Sequence, residues 1–366
     1  MMSGSDFETP AVPGLSAGLS SDGRVLALRC RPGTAAAAAL GRGALGDGSA
    51  ALLKGAAGSL SPRLILLTAG LPLFGAGPAS DGAACALRRS AALSSGSDDA
   101  SVLLLAQGRI RELVPVSDLV GRMQEALSDV RAPGALPPPW VGFAAPFMTP
   151  DGRFSVAGCG TGNPADPLSN RTAVLMTDLP ASETVLTRLT EPLGTAFFGW
   201  FRAAGTELPA DALVLLSTGT ASERPVCSAG DPRAEALRAG FALALERVMS
   251  GMAKTAGMTA RIRISGAMSP EEAEGFMRPL FLAAQRLRRR PASEAAAHLW
   301  AALAAGGPED LDWQSVSASA GGVRLLDAGR FASPPEMAGA LREVLEGCAG
   351  LEIRLFRGSA STFLWA

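Results

Sequence analysis

The feature that most constrains this chain is a change of period. Short apolar runs bounded by Gly, Pro, Asp and Ser alternate along it with longer stretches whose apolar residues recur every three or four positions. A buried strand needs the first pattern and an amphipathic helix the second, so the alternation predicts a mixed α/β protein. Strands are expected at 24–31, 64–68, 102–106, 141–147, 154–158, 172–177, 213–217, 260–265 and 351–357. Helices are expected at 83–93, 117–128, 182–193, 233–252, 270–289, 294–304 and 335–347. The start of the 270–289 helix carries the best local signal. Ser269 is placed to cap it, Pro270 suits its first position, and Glu271 and Glu272 follow, the second closing a capping box. Behind them Ala273, Phe276, Met277, Leu280, Phe281 and Ala284 make one apolar face that should lie on a sheet. The stretch 34–40, nearly all alanine, reads as low complexity, and the Pro-rich stretch 132–139 as a loop or linker. No repeat of solenoid or propeller length is present.

Composition narrows the partners. At 366 residues the chain is long enough for two domains or one large interlocked unit. With 33 basic and 34 acidic residues the net charge is −1, which gives no field to draw nucleic acid or an anionic membrane. Lys54 and Lys254 are its lysines; arginine supplies the other basic groups. Cys30, Cys85, Cys159, Cys227 and Cys348 are scattered and form no CxxC pair, which predicts reduced thiols in a cytoplasmic protein. Residues 1–14 lack the basic and apolar regions of a signal peptide and are expected to be a flexible tail. The most apolar stretch, 64–77, is broken by Pro72 and is shorter than the roughly 20 residues of a membrane span.

Generic chemical motifs are mostly negative. Gly158, Gly160 and Gly162 follow an expected strand, but Pro164 and Pro167 stand where a dinucleotide fold needs a helix start, so the glycines are read as a turn. Lys254-Thr255 closes a helix instead of opening one, which excludes a Walker-type phosphate loop. A Ser/His/Asp triad would have to use His298, the single histidine, which sits in an Ala-rich helix with no serine elbow nearby. One histidine and dispersed cysteines make no metal site, and no cofactor is expected. Arg286, Arg288, Arg289 and Arg290 fit the negative end of a helix dipole.

A family resemblance is carried by several segments. Cys159-Gly160-Thr161-Gly162-Asn163, then Asn170, then the strand ending at Thr177-Asp178, have the spacing of the KGSGM loop, the ATML cleavage site and the following TTD of the ornithine acetyltransferases. Residues 241–272, FALALERVMSGMAKTAGMTARIRISGAMSPEE, resemble that family's helix, DGEGATK turn, strand ending in GA and SxxEA helix start. Asp310-Leu311-Asp312-Trp313 resembles DPNW, residues 103–115 resemble STGVIGxxLP, and 7–23 sit where family chains carry a PxGFxAxGxxxG start. The chain is thus similar, over most of its length, to the bifunctional glutamate N-acetyltransferases of arginine biosynthesis. The resemblance implies a four-layer α/β/β/α sandwich with a smaller C-terminal α/β lobe. The expected division is a tail at 1–14, a main unit at 15–232 holding the 169/170 junction, and a lobe at 233–366.

The family's chemistry demands a threonine that attacks the preceding peptide bond and, as the new N-terminus, carries the acetyl group; an oxyanion hole assists. Here that position is Asn170, which has no hydroxyl. The oxyanion-hole equivalents are Gln107 and Gly108, the loop lysine corresponds to Cys159, and Thr161 lies beside it. The glutamate of DGEGATK corresponds to Ala256 and a binding lysine to Ala301, and the DGDTSTND stretch is largely gone at 203–208. The leading expectation is a pseudoenzyme: uncleaved and acting as a structural, regulatory or interaction subunit, as a homodimer or with an active paralogue. The alternative is an active acyltransferase moving acetyl from N-acetylornithine to glutamate, with Thr172 or Ser169 as nucleophile. A third is binding of a neutral ligand without turnover, in a pocket of Cys159, Thr161, Gln107 and Asn170.

Overall fold

A computed structural model describes residues 12–41, 61–71, 78–107, 115–129, 136, 139–149, 152–164, 166, 168–208, 211–221, 224–287, 292–308, 311–327 and 330–366. Gly108, the first eleven residues, Lys54, Pro72, Pro167, Arg288, Arg289, Arg290, Asp310 and most of the Pro-rich stretch lie outside the described residues.

The first compact unit comprises residues up to Gly194 together with Glu207–Met252. One of its sheets joins β1 (Leu15–Leu19), β2 (Val25–Cys30), β4 (Leu64–Thr68) and β5 (Val102–Ala106) in that order. The β4/β5 pair is parallel, and α1 (Pro78–Ser95) lies in the connection between them. The other sheet runs in the order β3 (Ala35–Leu40), β9 (Ala212–Ser217), β8 (Thr172–Thr177), β7 (Gly152–Thr161), β6 (Val141–Thr149). Only β8 and β9 pair in parallel there, with α3 (Glu183–Ala204) between them in sequence.

Period-two alternation divides each strand's side chains between two interiors. Leu26, Leu28, Ile65, Leu67, Leu103 and Leu105 of the first sheet share one core with Cys159, Val174, Met176, Val214 and Leu216 of the second. Their strand neighbours Val25, Ala27, Leu64, Leu66, Val102 and Leu104 pack instead with Leu87 and Ala91 of α1 and Leu119 and Met123 of α2 (Val116–Ser128). On the outer face of the second sheet, Gly158 and Gly160 meet Ala244, Val248 and Met252 of α4 (Pro232–Thr255). Helix, sheet, sheet and helix follow one another, as expected of the four-layer sandwich.

The second unit, Thr195–Thr206 with Ala253–Ala366, holds a six-stranded sheet. Its order is β13 (Arg330–Phe331), β12 (Val323–Asp327), β11 (Ser317–Ala320), β14 (Gly350–Arg354), β10 (Arg261–Ala267), β15 (Ala360–Trp365). Ile262, Ile264, Leu351, Ile353 and Leu364 are buried on one face, where α5 (Pro270–Leu287) and α7 (Pro334–Leu345) pack; α6 (Ala292–Gly306) packs on both helices. The cap that starts α5 forms in part as expected: the Glu272 amide donates to Ser269 Oγ at 3.2 Å, but Glu272 Oε2 accepts at 2.5 Å from the Met268 amide, one residue before the Ser269 amide that a capping box engages. The chain passes between units at 194/195 and 206/207 and again inside α4, at 252/253.

Several expectations change. The alanine run is an ordered strand, β3, paired residue for residue with β9 from Ala35↔Ser217 to Leu40↔Ala212. Gly158 and Gly160 are not in a turn but inside β7. Strand β14 ends at Arg354 instead of 357, because Phe356 adopts a left-handed backbone, φ 51°. Strands β1, β11, β12, β13 and β15 had no counterpart in the sequence reading. Among the described residues no helix is long and apolar enough to cross a membrane.

Candidate functional site

The C-terminal ends of β4 and β5 and the segment entering β8 converge within the first unit. Asn170 is buried, and its Nδ2 donates to the Ala106 carbonyl at the end of β5, 2.7 Å away. The adjoining Gln107 donates from Nε2 to Ser169 Oγ at 2.7 Å and accepts on Oε1 from the Gly70 amide at 2.7 Å. Its backbone is held as well: the amide donates to Thr68 Oγ1 at 3.1 Å, and the carbonyl accepts from the Leu71 amide at 2.9 Å. Gln107, Ser169 and Asn170, all of which the spacing singled out, are therefore brought together in one network. Each buried amide group in it has a partner, which removes the penalty of about 1–3 kcal/mol that an unsatisfied group would carry.

Arg171, between the two candidate hydroxyls, is fixed from the opposite direction. Its guanidinium donates from Nη2 to Asp211 Oδ2 at 3.0 Å and from Nη1 to the Ser169 carbonyl at 2.7 Å. Its amide donates to Asp211 Oδ1 at 2.7 Å, and both side chains of this ion pair are fully buried. Asp211 also accepts from the Leu208 amide at 2.7 Å. Burial pushes the Asp211 carboxyl up to about 6, against the opposing pull of Arg171 and the two amides. It remains ionised at neutral pH, so the pair survives there. No sequence motif flagged this pair; the partners stand 40 positions apart.

Thr172, the first residue of β8, lies opposite Thr161 of β7 and beside Ala212 of β9. Its Oγ1 is buried and has no hydrogen-bond partner among the described residues, while Thr161 Oγ1 donates to the Pro139 carbonyl at 3.4 Å. Neither Ser169 nor Thr172 has a carboxylate, imidazole or amine at hydrogen-bond distance among the described residues. A general base needs that reach. Asp178, at the far end of β8, is occupied by the Ser155 amide at 2.6 Å, and burial raises its carboxyl above the usual range.

Cys159 points into the core shared by the two sheets, where burial pushes its thiol up to about 12; Cys30 in the same core is raised equally. A thiol so protonated is neither nucleophile nor substitute for a lysine charge. Ala256 lies in the turn after α4 and Ala301 on α6; both belong to the second unit. His298, on the same helix, lines a shallow apolar cavity with Arg278, Leu282 and Arg286. Among the described residues no group of three or more His, Cys, Asp or Glu could hold a metal ion.

No protein-family model matches the chain, and no curated protein matches it. Among solved structures it is similar to the arginine biosynthesis bifunctional protein argJ of Bacillus halodurans at 14% identity, over 40% of this chain and 80% of that one, with TM-score 0.29. Ornithine acetyltransferase of Mycobacterium tuberculosis, complexed with ornithine, is similar at 13% identity over 41% of this chain and 82% of that one, TM-score 0.27. The l-aminopeptidase d-ala-esterase/amidase of Ochrobactrum anthropi, a variant of the ntn hydrolase fold, is similar at 16% identity over 66% of this chain and 85% of that one, TM-score 0.37.

Proposed function

We propose that this chain is an uncleaved, catalytically silent relative of the ornithine acetyltransferases, serving as a structural, regulatory or interaction subunit, as a dimer or beside an active paralogue. The observation that carries the reading is the closed network at the junction. A cleaving chain needs a free hydroxyl and a base at this junction; here the amides of Gln107 and Asn170 bond to Ser169 Oγ and the Ala106 carbonyl. Ser169 Oγ already accepts a hydrogen bond, and Thr172 Oγ1 is buried at a strand start with no group among the described residues placed to take its proton. Arg171, the cation at the junction among the described residues, is engaged by Asp211 and by backbone carbonyls and is not offered to an acidic amino-acid substrate.

Intact mass of the purified chain under denaturing conditions tests this. One species of 37.2 kDa is expected. Fragments of 169 and 197 residues would mark a cut before Asn170, and 171 and 195 a cut before Thr172. Either pair would overturn the proposal and make acetyl transfer from N-acetylornithine to glutamate the assay to run.

A further inference from the structure

The sheet of the second unit buries Ile264 and Ile353 on one face; its other face carries a polar cavity of about 340 Å³. Strand register sorts the side chains of that open face into rows. In one row Arg263 of β10 stands beside Glu352 of β14, and Ser319 of β11 and Arg324 of β12 follow. In the adjoining row Arg354 of β14 lies between Ser265 of β10 and Ser317 of β11, with Ser361 of β15 beyond Ser265. Asp327 of β12, at the other side of the cavity, is engaged by Arg324 at 2.6 Å and has Arg330 of β13 opposite it. Both carboxylates of the face are thus bracketed by arginines. With Arg261 one step along β10 from Arg263, the face carries five arginines against Glu352 and Asp327, in a chain whose total charge is −1. At the margin Glu272 is occupied by Arg357 at 3.2 Å. Among the described residues no carboxylate engages Arg354, and the hydroxyls of Ser265, Ser317 and Ser361 have no hydrogen-bond partner.

Arg354 is also the arginine of this face whose side chain has a platform. Phe356, in the cavity lining, is 62% exposed and is the one non-glycine residue with positive φ among the described residues. A left-handed backbone at a bulky residue is strained, and an exposed ring recovers little by burial. The conformation is braced nonetheless. The Leu355 amide donates to the Ser265 carbonyl at 2.9 Å, and the Arg357 and Gly358 amides both donate to the Gly266 carbonyl at 2.8 Å. The Arg354 guanidinium lies over the Phe356 ring, its Cζ 5.6 Å from the centroid. Stacking limits the rotamers of an otherwise mobile side chain and leaves its N–H edge open to an oxyanion.

We propose that this cavity binds a phosphoryl dianion, as free phosphate or as a small monoester, on the guanidinium of Arg354 and the hydroxyls of Ser265 and Ser317. Donor geometry decides between oxyanions. A carboxylate has two oxygens in one plane, which a guanidinium fork satisfies alone, whereas a phosphoryl group has three strong acceptor oxygens. Hydroxyls on both sides of the fork serve the oxygens that the fork leaves over. The excess of arginine on the face favours the doubly charged ligand as well. The cavity belongs to the second unit and the junction to the first, so the intact mass does not bear on it.

Calorimetric titration of the full chain with inorganic phosphate, glycerol 3-phosphate and glycerate, at about pH 8 where both phosphates are dianions, tests it. Both phosphates are expected to saturate, and glycerate to bind about tenfold or more weaker. Tighter binding of glycerol 3-phosphate than of inorganic phosphate would identify an ester as the ligand, and equal binding free phosphate. Arg354→Gln should weaken both phosphates by about tenfold or more, and the double variant Ser265→Ala/Ser317→Ala by roughly threefold or more. Phe356→Asn removes the ring with a residue that tolerates the left-handed backbone, and should weaken binding by roughly threefold. Arg330→Gln removes a charge of the same face outside the row and should change binding by less than about twofold. Each variant should keep the circular dichroism spectrum of the native chain. No saturation by either phosphate at concentrations on the order of tens of millimolar would overturn the proposal. So would glycerate binding as tightly as glycerol 3-phosphate, unchanged binding by the Arg354→Gln chain, or an equal loss in Arg330→Gln, since diffuse attraction to the face would then account for it.

Discussion

Asn170 shows how one residue type can close a site. A threonine there would present a hydroxyl at the strand entrance; the asparagine amide instead reaches across to the Ala106 carbonyl of the facing sheet. Replacing Asn170 with Thr restores the hydroxyl but leaves that part-buried carbonyl without its Asn170 donor. The Asn170→Thr chain should remain a single 37.2 kDa species and lose about 1–3 kcal/mol of stability, read as a lower urea midpoint. Appearance of the 169- and 197-residue fragments would show instead that the missing hydroxyl alone had silenced cleavage. At this scale the sequence disclosed the right neighbours. Gln107, Ser169 and Asn170 came out of motif spacing and do meet. Arg171 and Asp211 were invisible because an ion pair 40 positions apart leaves no local pattern, and an arginine inside a polar tetrad reads as solvent-exposed until its burial is known.

Elements were legible where local propensity and tertiary environment agree. The strands 64–68, 102–106 and 172–177 are short, almost wholly apolar runs, and they appear with the expected bounds. The alanine run failed for the opposite reason. Alanine favours helix and adds little to a strand, so pairing of 35–40 with the interior strand β9 decides its state. The glycines of β7 carry a similar lesson, since their purpose is on another element. A β-carbon at Gly160 would come within 2.5 Å of Met252 Cε, 2.6 Å of Val248 Cγ1 and 2.8 Å of the Thr172 carbonyl. The helix reciprocates, because a β-carbon at Gly251 would fall 2.1 Å from Val141 Cγ1. Helix α4 and the second sheet therefore approach closely through missing side chains on both surfaces. Gly160→Ala should force them apart at a cost of about 1–3 kcal/mol, seen as a lower thermal midpoint. Gly82→Ala, inside α1 with open space around its β-carbon, should hold or raise the midpoint. Equal effects of the two substitutions would refute the close-approach argument.

For the whole molecule, the composition makes an unusual titration curve. The chain has no tyrosine and two lysines, so few groups other than cysteine ionise between the histidine and arginine ranges. Cys85, Cys227 and Cys348 are exposed, but Cys30 and Cys159 are buried in the sandwich core with thiols pushed up to about 12 from an ordinary value of 9.0. Unfolding would release both to ionise at about 9. The stability linked to these two thiols is thus fully present below pH 9 and is lost as pH climbs toward 12, because over that window the unfolded chain binds fewer protons than the folded one. The loss should reach roughly 2–3 kcal/mol per pH unit for the pair, before other groups contribute. Urea midpoints measured from pH 8 to pH 10.5 should hold steady and then fall beyond 9. In a Cys30→Ala/Cys159→Ala chain the midpoint should start lower, since two core sulfurs are gone, yet show a much shallower alkaline fall. If the native chain shows no such fall, or the double variant falls as steeply, the two thiols do not set its alkaline limit. That outcome would place the titrating groups outside the shared core of the two sheets.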